Sequence, residues 1–338
     1  MTPSPVESVA AIRPIHRGRY FFVGMAILFF IISIVGFTPS YQGMSSGSLK
    51  FHWFVHVHGA IMTSWLAMFL AQSVLAARGN LKYHRKLGQI GFVLGILVYL
   101  VAGITSTRAR LSLYLPVESE LWDILLVELY SMNLFGLFFT WGMLVRKNVA
   151  AHKRLLLLAT IALMGAGIDR TSWLPGLYSA FYVRFIYLDT LVIALFFYDW
   201  ITLRRIHQIS LIGMGIIVAL QTTITLTFGS PAWHQFWYNR FAPFVEKPVE
   251  IKLSEAQATP LLGNYGDKSW HLTVSREGDK LFLKLPNQPK WALGATADTA
   301  LFVKTMIWNL TFAKGADGQV TQLTNTQGPL VWKVSKLK

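Results

Sequence analysis

The sequence predicts an all-α membrane bundle of seven transmembrane helices, amino terminus inside and carboxyl terminus outside, followed by a small all-β extracytoplasmic domain. Three observations predict it. The 338 residues are 53% hydrophobic and only 14% charged, whereas a soluble domain carries about a quarter charged residues. The apolar residues fall into seven runs of bilayer-spanning length before residue 229. Beyond residue 248 the pattern turns to short alternating runs separated by glycine-containing turns.

Residues 1–19 read as a cytoplasmic arm. A bilayer core takes about 20 mainly apolar residues per helix, and the seven runs lie at 20–37, 53–77, 87–106, 122–145, 154–174, 180–202 and 209–228. Asp169, Arg170, Arg184 and Asp189 interrupt the fifth and sixth, which leaves a count of five or six spans open. The first run exceeds the roughly 7–15 residues of a signal-peptide core, and no A-x-A site follows it. An anchor is therefore expected there. Trp53, Trp122, Trp173 and Trp200 stand near span ends, where interfacial aromatics belong.

Orientation follows from charge. The chain holds 31 Lys and Arg against 16 Asp and Glu, a net charge of +15. The excess sits in short loops: Arg13, Arg17 and Arg19; Arg78, Lys82, Arg85 and Lys86; Arg146, Lys147, Lys153 and Arg154; Arg204 and Arg205. The opposite loops carry Lys50, Arg108 and Arg110, offset by Glu118 and Glu120. Basic loops stay in the cytoplasm, so the amino terminus is expected inside. A nucleic-acid binder would gather its charge on one polar face, so no nucleic-acid partner is expected. The chain has no cysteine, which excludes disulfides and thiolate ligands.

Residues 229–248, rich in Trp, Phe and Tyr with proline at both ends, read as an aromatic interfacial collar or linker. Residues 249–338 read as antiparallel hairpins, six or seven strands in a small sheet or half-barrel. REGD at 276–279 and ADG at 316–318 are two of the turns.

Candidate sites come from the membrane histidines and charges. H-R-K at 84–86 and H-K-R at 152–154 each open an apolar helix running from the inside outward. Two imidazoles at equal depth on parallel helices suit bis-histidine ligation of haem b, with Arg85 and Arg154 beside the propionates. The competing reading is that these groups only anchor helix ends. On the outer side, His56 and His58 share a level with Glu128 and Asp169, a possible transition-metal site, and with Arg170, Arg184 and Asp189. An ionisable group inside a membrane is costly and points inward. This cluster can also be a proton path, an anionic or quinone-like ligand site, or a set of structural ion pairs. From His58 to the inner end of span two is about 27 Å at 1.5 Å per residue, so inner and outer groups are separate sites. No H-E-x-x-H motif marks a membrane hydrolase.

The residues carry two resemblances. H-x-H-G at 56–59, with Trp65 and Gln72 following, H-R-x-x-G at 84–88 and A-H-K-R-L at 151–155 resemble a family of bacterial multi-span membrane proteins of uncharacterised activity over residues 50–175. A more distant likeness runs to membrane proteins that assist haem–copper oxidase assembly, and it implies roles for His56, His58, His84 and His152. The tail motifs LLGNYGD (261–267), REGDKLFLKL (276–285), LFVK (301–304) and FAKGADGQVTQLT (312–324) resemble the small β domain that follows serine β-lactamase-like proteins. That resemblance implies an accessory module, and no S-x-x-K nucleophile motif precedes it here. Together these readings predict a haem- or metal-binding membrane protein in electron transfer or cofactor handling. The alternative is a non-catalytic receptor, transporter-like or accessory protein whose β domain binds an envelope or respiratory partner. Alkaline phosphatase fused after Lys338 should be active in intact bacteria, and a fluorescent protein that matures only in the cytosol should stay dark there. The reverse pattern overturns the orientation.

Overall fold

The computed structural model describes residues 18–47, 49, 51–111, 114–171, 173–177, 182–266, 271–286, 290–305, 308–315, 318–327 and 330–337. Arg13, His16, Arg17, Lys50, Asp267 and residues 316–317 lie outside them.

Seven helical segments are long and apolar enough to cross a membrane. They are α1 (Phe21–Ser45), α2 (Trp53–Ala77), α3 (Leu81–Leu111), α4 (Leu121–Leu144), α5 (Val149–Ala162) continued by α6 (Gly165–Ile168), α7 (Val183–Leu203) and α8 (Gln208–Thr227). A shorter helix, α9 (Pro231–Phe241), follows. Several helices outrun their apolar runs. Backbone hydrogen bonding continues where side chains turn polar, so α3 takes in His84 to Lys86 at one end and Arg108 and Arg110 at the other. Its 31 residues reach about 46 Å at 1.5 Å per residue. The fifth span breaks early. Leu163 N–H and Met164 N–H reach back to the carbonyls of Thr160 and Ile161, tightening the turn before Gly165.

Three of the long apolar helices start on side-chain caps. His52 accepts from Phe54 N–H at 3.3 Å, Asn148 from Ala151 N–H at 3.2 Å, and His207 from Ile209 N–H at 3.1 Å. A capping imidazole must be neutral at the accepting nitrogen. Burial, and then the Arg154 guanidinium, holds His207 below the usual imidazole range.

α5 is the axis of the bundle. It packs on α4, α7 and α8, and Leu155, Leu157, Leu158 and Ala159 are fully buried. Its leucines occupy every face, the pattern of a helix enclosed on all sides. Around it, α1 meets α6 where Gly36 lies against the Gly167 backbone, with no room for a side chain. Exposed apolar side chains such as Ile31, Ile90, Val93, Ile104 and Ile193 clothe the waist. Exposed aromatics stand at both ends: Tyr20, Tyr83 and Trp200 at the basic end, Tyr41, Trp53 and Trp173 at the far end. Trp122 differs from the expectation. It is buried, because Trp233, Trp237 and Phe241 of α9 cover it.

The tail is an eight-stranded antiparallel sheet in strict sequence order: β1 (Gly263–Gly266), β2 (His271–Glu277), β3 (Lys280–Lys284), β4 (Lys290–Ala297), β5 (Ala300–Val303), β6 (Asn309–Lys314), β7 (Val320–Gln327) and β8 (Leu330–Ser335). It curls until its edges meet. Tyr265 bridges Lys336, and Leu337 N–H donates to the Asn264 carbonyl at 2.8 Å. The result is a near-barrel with more strands than the six or seven expected. The β2–β3 turn needs Gly278, whose φ of 59° lies in the left-handed region.

Alternate residues fill the interior: Tyr265, Leu272, Val274, Leu283, Leu310 and Leu323 are buried. Asn325 is buried among them, and neither its amide nitrogen nor its oxygen has a hydrogen-bond partner among the described residues. Such a group costs about 1–3 kcal/mol. Asn325→Leu should therefore raise the stability of the β domain by about that amount, read as a later thermal transition of the full chain.

Candidate functional site

The basic end of the bundle carries a cavity of about 2950 Å³. Trp65, Phe69 and Gln72 of α2, Phe92 and Tyr99 of α3, and Phe139 of α4 line its walls, and His84 and His152 both line it. The two histidines thus border the same cavity. α4 lies between their helices, packing on both α3 and α5.

Each imidazole is fixed by a backbone carbonyl. His84 Nδ1 lies 3.3 Å from the Gln72 carbonyl of α2, and His152 Nδ1 lies 2.8 Å from the Gly142 carbonyl of α4. A carbonyl only accepts, so both Nδ1 atoms carry the hydrogen, which in a neutral imidazole leaves the lone pair on Nε2. This is the tautomer and the outer support that ligating histidines use. Beside them, the buried Gln72 Oε1 has no hydrogen-bond partner among the described residues. Arg85 and Lys147 also line the cavity, both exposed and without a carboxylate among the described residues.

Arg154 departs from its expected place beside a propionate. Its side chain is buried and donates to Asp199 through Nε at 2.9 Å and through Nη2, and to the Ala150 carbonyl through Nη1 at 2.7 Å. Asp199 is also fully buried. It accepts further from Ser210 Oγ at 2.6 Å and from His207 N–H at 3.0 Å. Next to this pair, Lys153 donates to the Tyr198 hydroxyl at 2.7 Å. Three consecutive residues of α5 thus do three things: His152 faces the cavity, Lys153 meets α7, and Arg154 locks α5 to α7 and α8. Sequence reasoning missed Asp199. The available signal was a single acid, in FFYDW, among the last apolar residues of a span.

The far end does not assemble the expected metal set. His56 is exposed, edge-on to Phe51. His58 Nδ1 lies 3.2 Å from Thr105 Oγ1. Glu128 accepts from Arg110 and from Ser106, each at 2.7 Å, and Asp169 pairs with Arg184 at 3.3 Å. No group of three or more His, Cys, Asp or Glu able to hold a metal occurs among the described residues. Asp169–Arg184 and Glu128–Arg110 are thus closed ion pairs. Arg170 lies over the Phe37 ring. Asp189 accepts from Gln221 Nε2 at 2.9 Å.

The collar helix α9 is tied to the start of α4. Asp123 accepts from Gly229 N–H at 2.8 Å, and its other oxygen lies 3.0 Å from His234 Nε2, close enough for a charge contact though not aligned as a hydrogen bond. Trp233 Nε1 donates to the Trp122 carbonyl at 2.8 Å. Burial and the neighbouring Tyr238 hydroxyl push the Tyr114 phenol up to about 12.

No protein-family model matches the chain, and no curated protein compared with it gives a match. The weight therefore rests on geometry. Asp199→Asn should leave Arg154 with an uncompensated buried charge and cost about 3–5 kcal/mol. Thermal unfolding of the detergent-solubilised protein measures it, and an unchanged transition contradicts the role given to this pair.

Proposed function

We propose that the chain is a multi-pass protein of a bacterial inner membrane, with its basic end in the cytoplasm and its β domain outside. We propose further that the basic-end cavity binds one b-type haem, for electron transfer or cofactor handling. The observation that carries this reading is the matched pair His84 and His152. They come from different helices, line one cavity, and are each held by Nδ1 so that Nε2 is left to coordinate.

The residues present fit the group. A haem edge is apolar and meets Trp65, Phe92 and Phe139 on the cavity wall. Its carboxylates need cations, and Arg85 with Lys147 replaces the Arg85 and Arg154 pair expected from sequence, because Arg154 is held by Asp199. When bound, the haem supplies one-electron exchange. The protein's part is to hold two imidazoles by their Nδ1 atoms, present positive charge at the cavity, and flank the group with aromatic walls. At the far end, His58, Glu128 and Asp169 each have another partner, so that end lends no comparable support to a metal.

Protein purified in detergent from haem-replete cells should show a low-spin bis-histidine absorption spectrum. His84→Ala and His152→Ala should each abolish it. Arg85→Gln with Lys147→Gln should lower haem content while leaving the band positions unchanged. A colourless wild-type preparation that elutes as a single folded species overturns the reading.

A further inference from the structure

Five acids lie within the spanning helices or directly follow one, and four of them meet a cation or histidine. Asp123 faces His234, Glu128 binds Arg110, Asp169 binds Arg184, and Asp199 binds Arg154. Asp189 is the exception. It lies five residues after Arg184 on α7, and Arg184 turns to Asp169. Positions five apart on a helix do not face each other, whereas three or four apart do. Asp189 instead accepts a hydrogen bond from a neutral amide, Gln221 of α8, which is itself buried. The Tyr130 hydroxyl of α4 meets the same amide.

The charged groups on neighbouring elements are accounted for. Lys153 and Arg154 of α5 bind Tyr198 and Asp199 at the basic end. Ten residues separate Asp189 from Asp199, about 15 Å along α7 at 1.5 Å per residue. Asp169, just past α6, is taken by Arg184. None of these cations forms an ion pair with Asp189 among the described residues. A carboxylate held away from water without a counter-charge is costly, and it relieves the cost by taking a proton.

We propose that Asp189 is a proton-binding site in the far half of the bundle: its half-buried carboxyl carries a proton and is held by Gln221. The ligand class is the proton itself. The site is separate from the histidine cavity and does not depend on haem. It does rest on the membrane placement proposed above. That placement is tested on its own by recovering the protein in the membrane pellet after an alkaline carbonate wash.

The direct test uses dicyclohexylcarbodiimide, an apolar reagent that partitions into lipid and reacts with protonated carboxyls. The acid's proton moves to a carbodiimide nitrogen, while the carboxyl oxygen bonds the central carbon. Membranes containing the full chain are treated at neutral pH, and the adduct is mapped by peptide mass spectrometry. Asp189 should be labelled at least about tenfold more than Asp199, the free-energy equivalent of one pKa unit. Gln221→Lys, which installs a counter-charge, should suppress the label, whereas Gln221→Leu should keep it. Absence of label on Asp189, equal labelling of Asp189 and Asp199, or an unchanged label in Gln221→Lys overturns the proposal. Protein that washes out of the membrane pellet fails the placement instead.

Discussion

The buried pair between Arg154 and Asp199 is the constraint on which the rest of the bundle depends. Arg154 comes from the most enclosed helix, and Asp199 from the helix beside it. Three donor groups converge on the carboxylate: the guanidinium, Ser210 Oγ and His207 N–H. A pair like this is not a large net source of stability compared with well-packed apolar residues, because both ions give up water. Its effect is on uniqueness. The guanidinium has one place to go, so α5, α7 and the α7–α8 connection can dock in one register. The same docking sets the direction of His152, two residues earlier, toward the cavity.

Around that lock, polar chemistry separates into two layers with an apolar waist between. The basic-end layer is open and roomy, and its imidazoles are held by carbonyls. The far layer is made of short, closed partnerships: His58 with Thr105, Glu128 with Arg110 and Ser106, Asp169 with Arg184. The first layer has capacity for a guest. The second spends its hydrogen-bonding groups on one another, except at Asp189. Both patterns follow from the high cost of an unsatisfied polar group away from water.

The seven apolar runs and the β tail were legible from sequence, because run length and alternation are local signals. Helix bounds were not, since backbone bonding runs on past the last apolar residue, as through His84 to Lys86 in α3. Trp122 read as interfacial because nothing local shows that α9 folds over it. Asp199 was invisible for a related reason: its partner lies 45 residues upstream, and at the basic end of a span an acid looks like a loop residue. The sheet holds eight strands where six or seven were expected.

The closure of the near-barrel has its own consequence. Each strand pairs with its sequence neighbours, so the sheet grows by adding hairpins one after another, with little loop entropy at each step. The exception is the seam, where β1 waits for β8 across most of the domain. Until β8 arrives, β1 and β7 are bare edges able to recruit foreign strands. The seam thus works as a completion check: a nascent or clipped tail stays adhesive, and only the finished one hides its edges.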